Sequence, residues 1–471
     1  MRDLRKKILL ESGKTLSRKA RTKQGLADYT PAHSSNNSRA TSQTSSRAPS
    51  RYASEEEDGA SDSEDDDAST RSDDPLDSDH GTAWTERLQS RVDELKTRKR
   101  SVQDREDTLI GYIELLRRHF VPEEYMSDYI SDIIPALLRG VTAGGSTGER
   151  LLAVRAITVT ALTYPSETVF DHVFQTLKGL CQDEEEEKVK VEAIHALSIS
   201  VLYGGGSTTD YDDVLDFFMT IVESDGVAAE AEDSGPVVTA ALQAWALVAT
   251  YVEDLTEQSE QAMDVFMEQL DSTDVSVQTS AGSNIALLFE AARDYEEETG
   301  TPMNLQYDHH KISARMSEAV RMSPKSVSRK DRKHLRSSFL SISTSLERGL
   351  GPGYSTAGRG GVNPHTGGRK MDGASEFQEF GYREKVRVHD QFITIDTWAL
   401  QTRVQALKTH LRSGFGVHFL ENPLVQEMLE SAQVQQVLGP GAAKRLRNAG
   451  ESLPEESDEP VKDSTEGTGD A

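Results

Sequence analysis

The sequence predicts an all-α protein: an armadillo/HEAT-like α-solenoid with a small, mostly helical C-terminal domain and disordered tails. Three observations predict it. Apolar residues recur at helical spacing from Trp84 to about residue 295 with no β-rich run between. Similar helices repeat around Ala156, Ala193, Ala241 and Ala281, at steps of 37, 48 and 40 residues, near the ~40–47-residue period of stacked helix pairs. The two ends hold almost nothing to bury.

Residues 1–83 are predicted to be a disordered tail, basic and then acidic. Arg2, Arg5, Lys6, Lys7, Lys14, Arg18, Lys19, Arg21 and Lys23 form an arm with only Asp3 and Glu11 against them. Ser54, Ser61 and Ser63 then lie among Glu55–Asp58 and Asp65–Asp67, where phosphate would deepen the negative charge.

Residues 84–348 are predicted to be the repeat domain. Trp84, Leu88, Val92 and Leu95, then Leu109, Ile113 and Leu116, mark a first helical hairpin. Later first helices carry Ile133, Ile134 and Leu137; Val169, Val173 and Leu177; Val214, Phe218 and Ile221; and Met263, Phe266 and Leu270. The small alanines of the second helices let neighbours approach closely, and about five pairs fit between 84 and 295. Gly144–Gly145, Gly204–Gly206 and the acidic Gly226–Gly235 stretch are loops. Residues 304–348 are helical and basic, with Lys325, Arg329, Lys330, Arg332, Lys333 and Arg336 clustered.

Ten glycines between 349 and 381 predict a flexible linker. A small domain over 382–440 follows, with a strand or extended segment over Lys385–Thr394, a helix from about Thr397 to Leu411 and another from Pro423. A disordered tail, 441–471, ends the chain.

Chemistry finds little support. Ser12-Gly-Lys-Thr15 ends like a phosphate-binding loop, but Ile8 stands where that loop needs glycine. His309, His310 and His334 lack a ligand set at metal spacing. His389, Asp390, Asp396 and Ser413 supply triad residue types without a nucleophile elbow. No enzyme activity, metal or cofactor is expected. The single cysteine, Cys181, excludes an internal disulfide. The absence of a long apolar run, with only Ile8–Leu10 where a secretory signal needs more, predicts a soluble intracellular protein in the cytoplasm, the nucleus or both, without a membrane partner.

The net charge of −27 conceals opposed regions. Residues 1–52 carry +9, 53–80 carry −12, 123–310 carry −29, 311–449 carry +10 and 450–471 carry −7. An acidic body repels phosphate and suits basic protein partners, whereas the basic segments suit RNA.

Several segments resemble the interferon-related developmental regulator family. They are Asp274-Val-Ser-Val-Gln-Thr-Ser-Ala-Gly-Ser-Asn-Ile-Ala-Leu-Leu-Phe-Glu-Ala-Ala-Arg293, Ser328-Arg-Lys-Asp-Arg-Lys-His-Leu-Arg-Ser-Ser-Phe339, Ile395-Asp-Thr-Trp398 and Leu411-Arg-Ser-Gly-Phe-Gly-Val-His-Phe-Leu-Glu-Asn422. The resemblance covers roughly residues 84–440, and Glu11–Lys19 is similar to the start of fungal-type members. It implies an armadillo-like domain, a smaller C-terminal domain and no enzymatic activity. It also implies a transcriptional co-regulator or a ribosome-associated repressor of translation. Lys444, Arg445 and Arg447 are followed by an acidic end, unlike the basic tail of animal members, so RNA contacts made by such a tail are not carried over.

These readings together predict a non-enzymatic regulatory adaptor that binds proteins through the acidic solenoid. Its RNA and partner contacts are expected at Arg5, Lys6, Lys7, Arg18, Lys19, Arg329, Lys330, Arg332, Lys333, Arg336, Trp398 and His418, with ribosome binding and translation regulation as the role. The alternative is a nuclear co-regulator docking chromatin or transcription complexes.

Overall fold

The computed structural model describes residues 83–97, 100–164, 169–323, 327–353, 384–388 and 391–436, all within a unit spanning Ser78–Ala471. The expectations for the N-terminal arm, the acidic serine-rich stretch, the linker after Gly353 and the C-terminal tail lie outside the described residues.

Among the described residues, twelve helices pair in chain order: α1 (Ala83–Lys96) with α2 (Val102–Arg118), α3 (Glu123–Ala143) with α4 (Thr147–Thr163), α5 (Val169–Asp183) with α6 (Glu187–Tyr203), α7 (Thr208–Glu223) with α8 (Gly235–Ala249), α9 (Thr256–Gln269) with α10 (Val275–Thr299), and α11 (His309–Met322) with α12 (Arg329–Arg348). The basic 304–348 segment thus supplies a sixth pair, because Ile312, Met316, Leu335, Phe339 and Ile342 join the core of the preceding repeats.

The even-numbered helices stack on one another from α2 to α12. Ala156, Ala193, Ala241 and Ala281 are each 0 % exposed at these contacts, as close helix approach requires. At Gly282 the demand is stricter: a Cβ would stand 2.9 Å from Ile342 Cδ1 of α12. Side-chain oxygens inside this layer bond locally or across it. Thr160 Oγ1 donates to Ala156 O at 2.7 Å and lies 2.8 Å from the Tyr112 hydroxyl.

Polar bonds also tie successive repeats at their rims. Arg105 grips Glu149 through two bonds of 2.6 and 2.8 Å; Arg150 reaches Glu184 at 2.6 Å and Arg155 reaches Glu192 at 3.0 Å. Serine caps start several helices. Ser101 Oγ and Ser207 Oγ each accept from the backbone three residues on, with the aspartate there bonding back, an arrangement worth about 1 kcal/mol per cap.

The long step between Ala193 and Ala241 holds an insertion. Its short 3₁₀ turn, Val227–Ala229, is pinned by the buried Lys190, whose ammonium donates to Gln182 O at 3.0 Å and to Ala229 O.

The C-terminal segment forms β1 (Glu384–Val388), β2 (Gln391–Ile395), α13 (Trp398–Leu411), a 3₁₀ turn (Arg412–Gly414), α14 (Phe415–Glu421), α15 (Pro423–Met428) and β3 (Gln433–Gln436). The sheet is antiparallel in order β1-β2-β3. Strand β3 is absent from the sequence reading, since Gln-Val-Gln-Gln shows no apolar alternation and becomes a strand only by pairing with β2. Leu400, Val404, Leu407 and Leu411 of α13 meet Ile393, Ile395, Val425 and Met428, and also Leu162, Ile199 and Leu247 of the solenoid. Module and solenoid therefore share one apolar cluster. Among the described residues, no helix is long and apolar enough to cross a membrane.

Candidate functional site

Three surfaces carry the residues singled out above. The first is acidic and centres on α7, α9 and the loop joining α7 to α8. Asp212, Asp213, Asp216, Glu223, Glu230, Glu232, Asp233, Glu257, Glu260, Asp264 and Glu268 are exposed there. Few cations answer them; Arg315 of α11 holds Asp271 at 2.6 Å. Asp225, Glu230 and Asp233 all sit at positive φ (52°, 48° and 58°), a costly backbone for residues with a Cβ. Partial burial, then repulsion from Asp233, raises the Asp225 carboxyl above its ordinary value.

The second is basic and occupies the start of α12. Arg329, Lys330, Arg332, Lys333 and Arg336 are exposed, while Leu335 and Phe339 of the same helix are buried. Ser328 Oγ caps the helix by accepting from Asp331 N at 3.1 Å. Cations at a helix N-terminus oppose its dipole, at a cost of about 0.3–1 kcal/mol each. Arg329 and Lys330, in the first turn, therefore do not stabilise α12 through its dipole, and their charges add to the dipole in attracting an anion. Arg5, Lys6, Lys7, Arg18, Lys19 and Lys325 lie outside the described residues.

The third is the seam where the C-terminal module docks, and here lie Trp398 and His418, expected above as RNA or partner contacts and buried in the structure. Trp398 is 4 % exposed and His418 is 0 % exposed. Glu290 of α10 accepts from the backbone amides of Trp398 and Ala399 at 2.8 and 2.9 Å, and the indole Nε1 donates to Ser345 Oγ of α12 at 3.1 Å. Burial raises the Glu290 carboxyl, against the opposing pull of those two amides. His418 Nε2 meets Leu116 O at 2.8 Å, and its Nδ1 lies 3.1 Å from Asn422 Nδ2, which also donates to Leu162 O at 3.0 Å. These partners select the neutral imidazole with its proton on Nε2. Both residues are spent on joining module to solenoid because an indole and an imidazole bury large apolar bodies once their N–H groups are satisfied.

Other residues of the seam have no signature in sequence. Arg403 stacks 4.3 Å from the Tyr251 ring and bonds Thr250 Oγ1 at 3.1 Å, Thr250 O and Met428 O. Arg117 Nε donates to His410 O at 2.7 Å. A Cβ at Gly414 would collide with the Arg117 carbonyl, so the Ser-Gly-Phe segment is bound to this docking. Burial, with His195, Arg117 and Arg155 nearby, pushes His410 down to about 3.

Between module and solenoid the seam leaves a cavity of about 320 Å³ lined by residues of α6, α8, α10, α12 and α13. As for metals, Asp308, His309 and His310 bring ligand atoms within 4.8 Å of one another, but they are largely exposed, and Asp308 Oδ1 already caps α11 by accepting from His310 N at 2.9 Å. Of the triad types, His389 and Asp390 lie outside the described residues.

A family model described as interferon-related developmental regulator matches residues 48–347, ending with α12. A protein of Schizosaccharomyces pombe, itself described as uncharacterized, is 25 % identical over 361 residues, 74 % of each chain.

Proposed function

This chain belongs to the interferon-related developmental regulator family, and from that premise, which makes it a regulatory helical-repeat protein, we propose that it works as a non-enzymatic adaptor linking protein partners to ribosomal RNA in translation control. The separation of charge carries the proposal. An acidic body of −29 over residues 123–310 suits basic proteins, while the exposed cations of α12 suit phosphate, Arg329 and Lys330 standing where they oppose their own helix dipole. On this reading the protein acts in the cytoplasm and takes neither cofactor nor small substrate.

Sedimentation of cell extracts at low salt, with and without nuclease and in growing and starved cells, tests it. Co-migration with ribosomes that nuclease abolishes is expected; migration only in ribosome-free fractions in every condition rejects it. The acidic surface would equally serve a nuclear co-regulator, and crosslinked purification that recovers chromatin proteins in place of ribosomal ones would select that role.

A further inference from the structure

The cavity between α13 and the solenoid has an unusual lining for this chain. The protein has 79 acidic residues, yet no Asp, Glu, Lys or Arg lines this recess; carboxamides, hydroxyls and imidazoles do, beside an apolar part made by Ala244, Ala246, Leu247, Ala406 and Trp398. Thr402 and Thr409 donate to carbonyls of their own helix, so their remaining lone pairs are free to accept. Gln401 Oε1 is buried without a hydrogen-bond partner. A neutral wall in which Gln401 Oε1 has no partner and Gln405 is exposed repels neither phosphate nor base and sets an acceptor beside an amide, the chemistry that reads base edges.

Its position adds a second observation. His334 and Ser338 of α12 line the cavity, and Lys330 precedes His334 by one helical turn, on the same stripe. The exposed cationic cluster therefore leads along one helix to the recess. Single-stranded RNA is bound in this way, with phosphates on cations and an unstacked base inserted into a polar niche.

We propose that the cavity receives one unpaired nucleobase of a single-stranded RNA whose backbone lies on the cations of α12. Gln401 and Gln405 offer amide contacts to the base edge, adenine being the best match, while Lys330 takes the adjoining phosphate. The proposal deepens the RNA-binding reading and rests on it. An extended peptide is the competing occupant.

Fluorescence anisotropy of the full-length protein, with labelled oligoadenylate and an abasic ribose-phosphate oligomer of equal length as probes, separates the possibilities. Wild type is expected to bind the base-bearing strand at least about fivefold tighter than the abasic one. Gln405→Ala, at an exposed position, and Ser280→Phe, which fills the cavity, are each expected to remove that preference while keeping the abasic affinity and the melting curve. Lys330→Glu is expected to weaken both strands. Equal affinity of wild type for the two strands overturns the base pocket and leaves RNA binding intact, whereas binding of neither overturns the RNA reading itself. A base preference untouched by Gln405→Ala and Ser280→Phe places the base elsewhere and overturns the proposal. So does a serine- and glutamine-rich peptide whose binding, in place of the RNA preference, is the one Ser280→Phe abolishes.

Discussion

The side chain of Glu290, on α10, caps helix α13 by accepting from the backbone amide of Trp398 at 2.8 Å, across 108 residues of sequence. A capping carboxylate belonging to another element makes the start of α13 dependent on the solenoid. Glu290→Ala leaves the Trp398 and Ala399 amides without their acceptor in buried surroundings. The expected cost is about 2 kcal/mol, concentrated in the module. Hydrogen exchange over residues 398–411 is expected to accelerate while α4 and α6 stay protected; uniform protection as in wild type would remove the latch.

Acid is expected to loosen the same seam. The His410 value falls from 6.5 to about 3 on folding, and burial lowers His195 and His418 as well. A depressed value means that the native state resists a proton the unfolded chain accepts. For His410 the stability contribution is fully present above pH 6.5 and is lost progressively as pH falls towards 3, by about 1.4 kcal/mol per pH unit; His195 and His418 act in the same direction. Glu290 works in the opposite sense, its raised value favouring the fold below 4.5 and losing that contribution as pH rises through the folded value. Comparing wild type with His410→Gln over one pH range cancels that term. Urea unfolding between pH 5 and 6.5 is expected to show a shallower pH slope in the variant, by about one proton; parallel slopes would reject the assignment.

Ala281 is 0 % exposed in the even-helix layer, beside the Gly282 contact with α12. Ala281→Asp places an unpaired carboxylate between stacked helices, at an expected cost of about 3 kcal/mol or more. Thermal unfolding is expected to shift down strongly, with α10 to α12 opening first. An unchanged melting curve would contradict the register of the repeats.

Reversing Lys330, Arg332 and Lys333 to Glu is expected to leave the fold intact and, by relieving the charges that oppose the dipole at the start of α12, to keep or slightly raise the melting temperature, since all three are exposed. RNA-dependent association should weaken, and its slope of log affinity against log salt should fall by about two, at roughly 0.7 per single-strand phosphate contact. Association with the original salt slope would make the cluster a solvated helix face.

Much of the repeat body was legible because each repeat is stabilised by local periodicity and by neighbours at a fixed spacing. The alanine anchors and the start of α15 at Pro423 both follow from short stretches of chain. The candidate site was legible only where charge alone marks it, at Arg329–Arg336. Trp398 and His418 stood out as chemically distinctive, but residue type could not show that one faces Glu290 and Ser345 and the other Leu116 and Asn422.

By itself, the sequence determined the helical pairs, their near-regular period, the division into acidic and basic regions and the family. Those properties are local or additive along the chain. Only the tertiary structure decided that the C-terminal module lies against the even-numbered helices, that Gln433–Gln436 completes a sheet, and that a neutral cavity opens at the end of the basic stripe. These features arise from contacts such as Arg117 with His410, 293 residues apart, for which no spacing or composition leaves a trace in the chain.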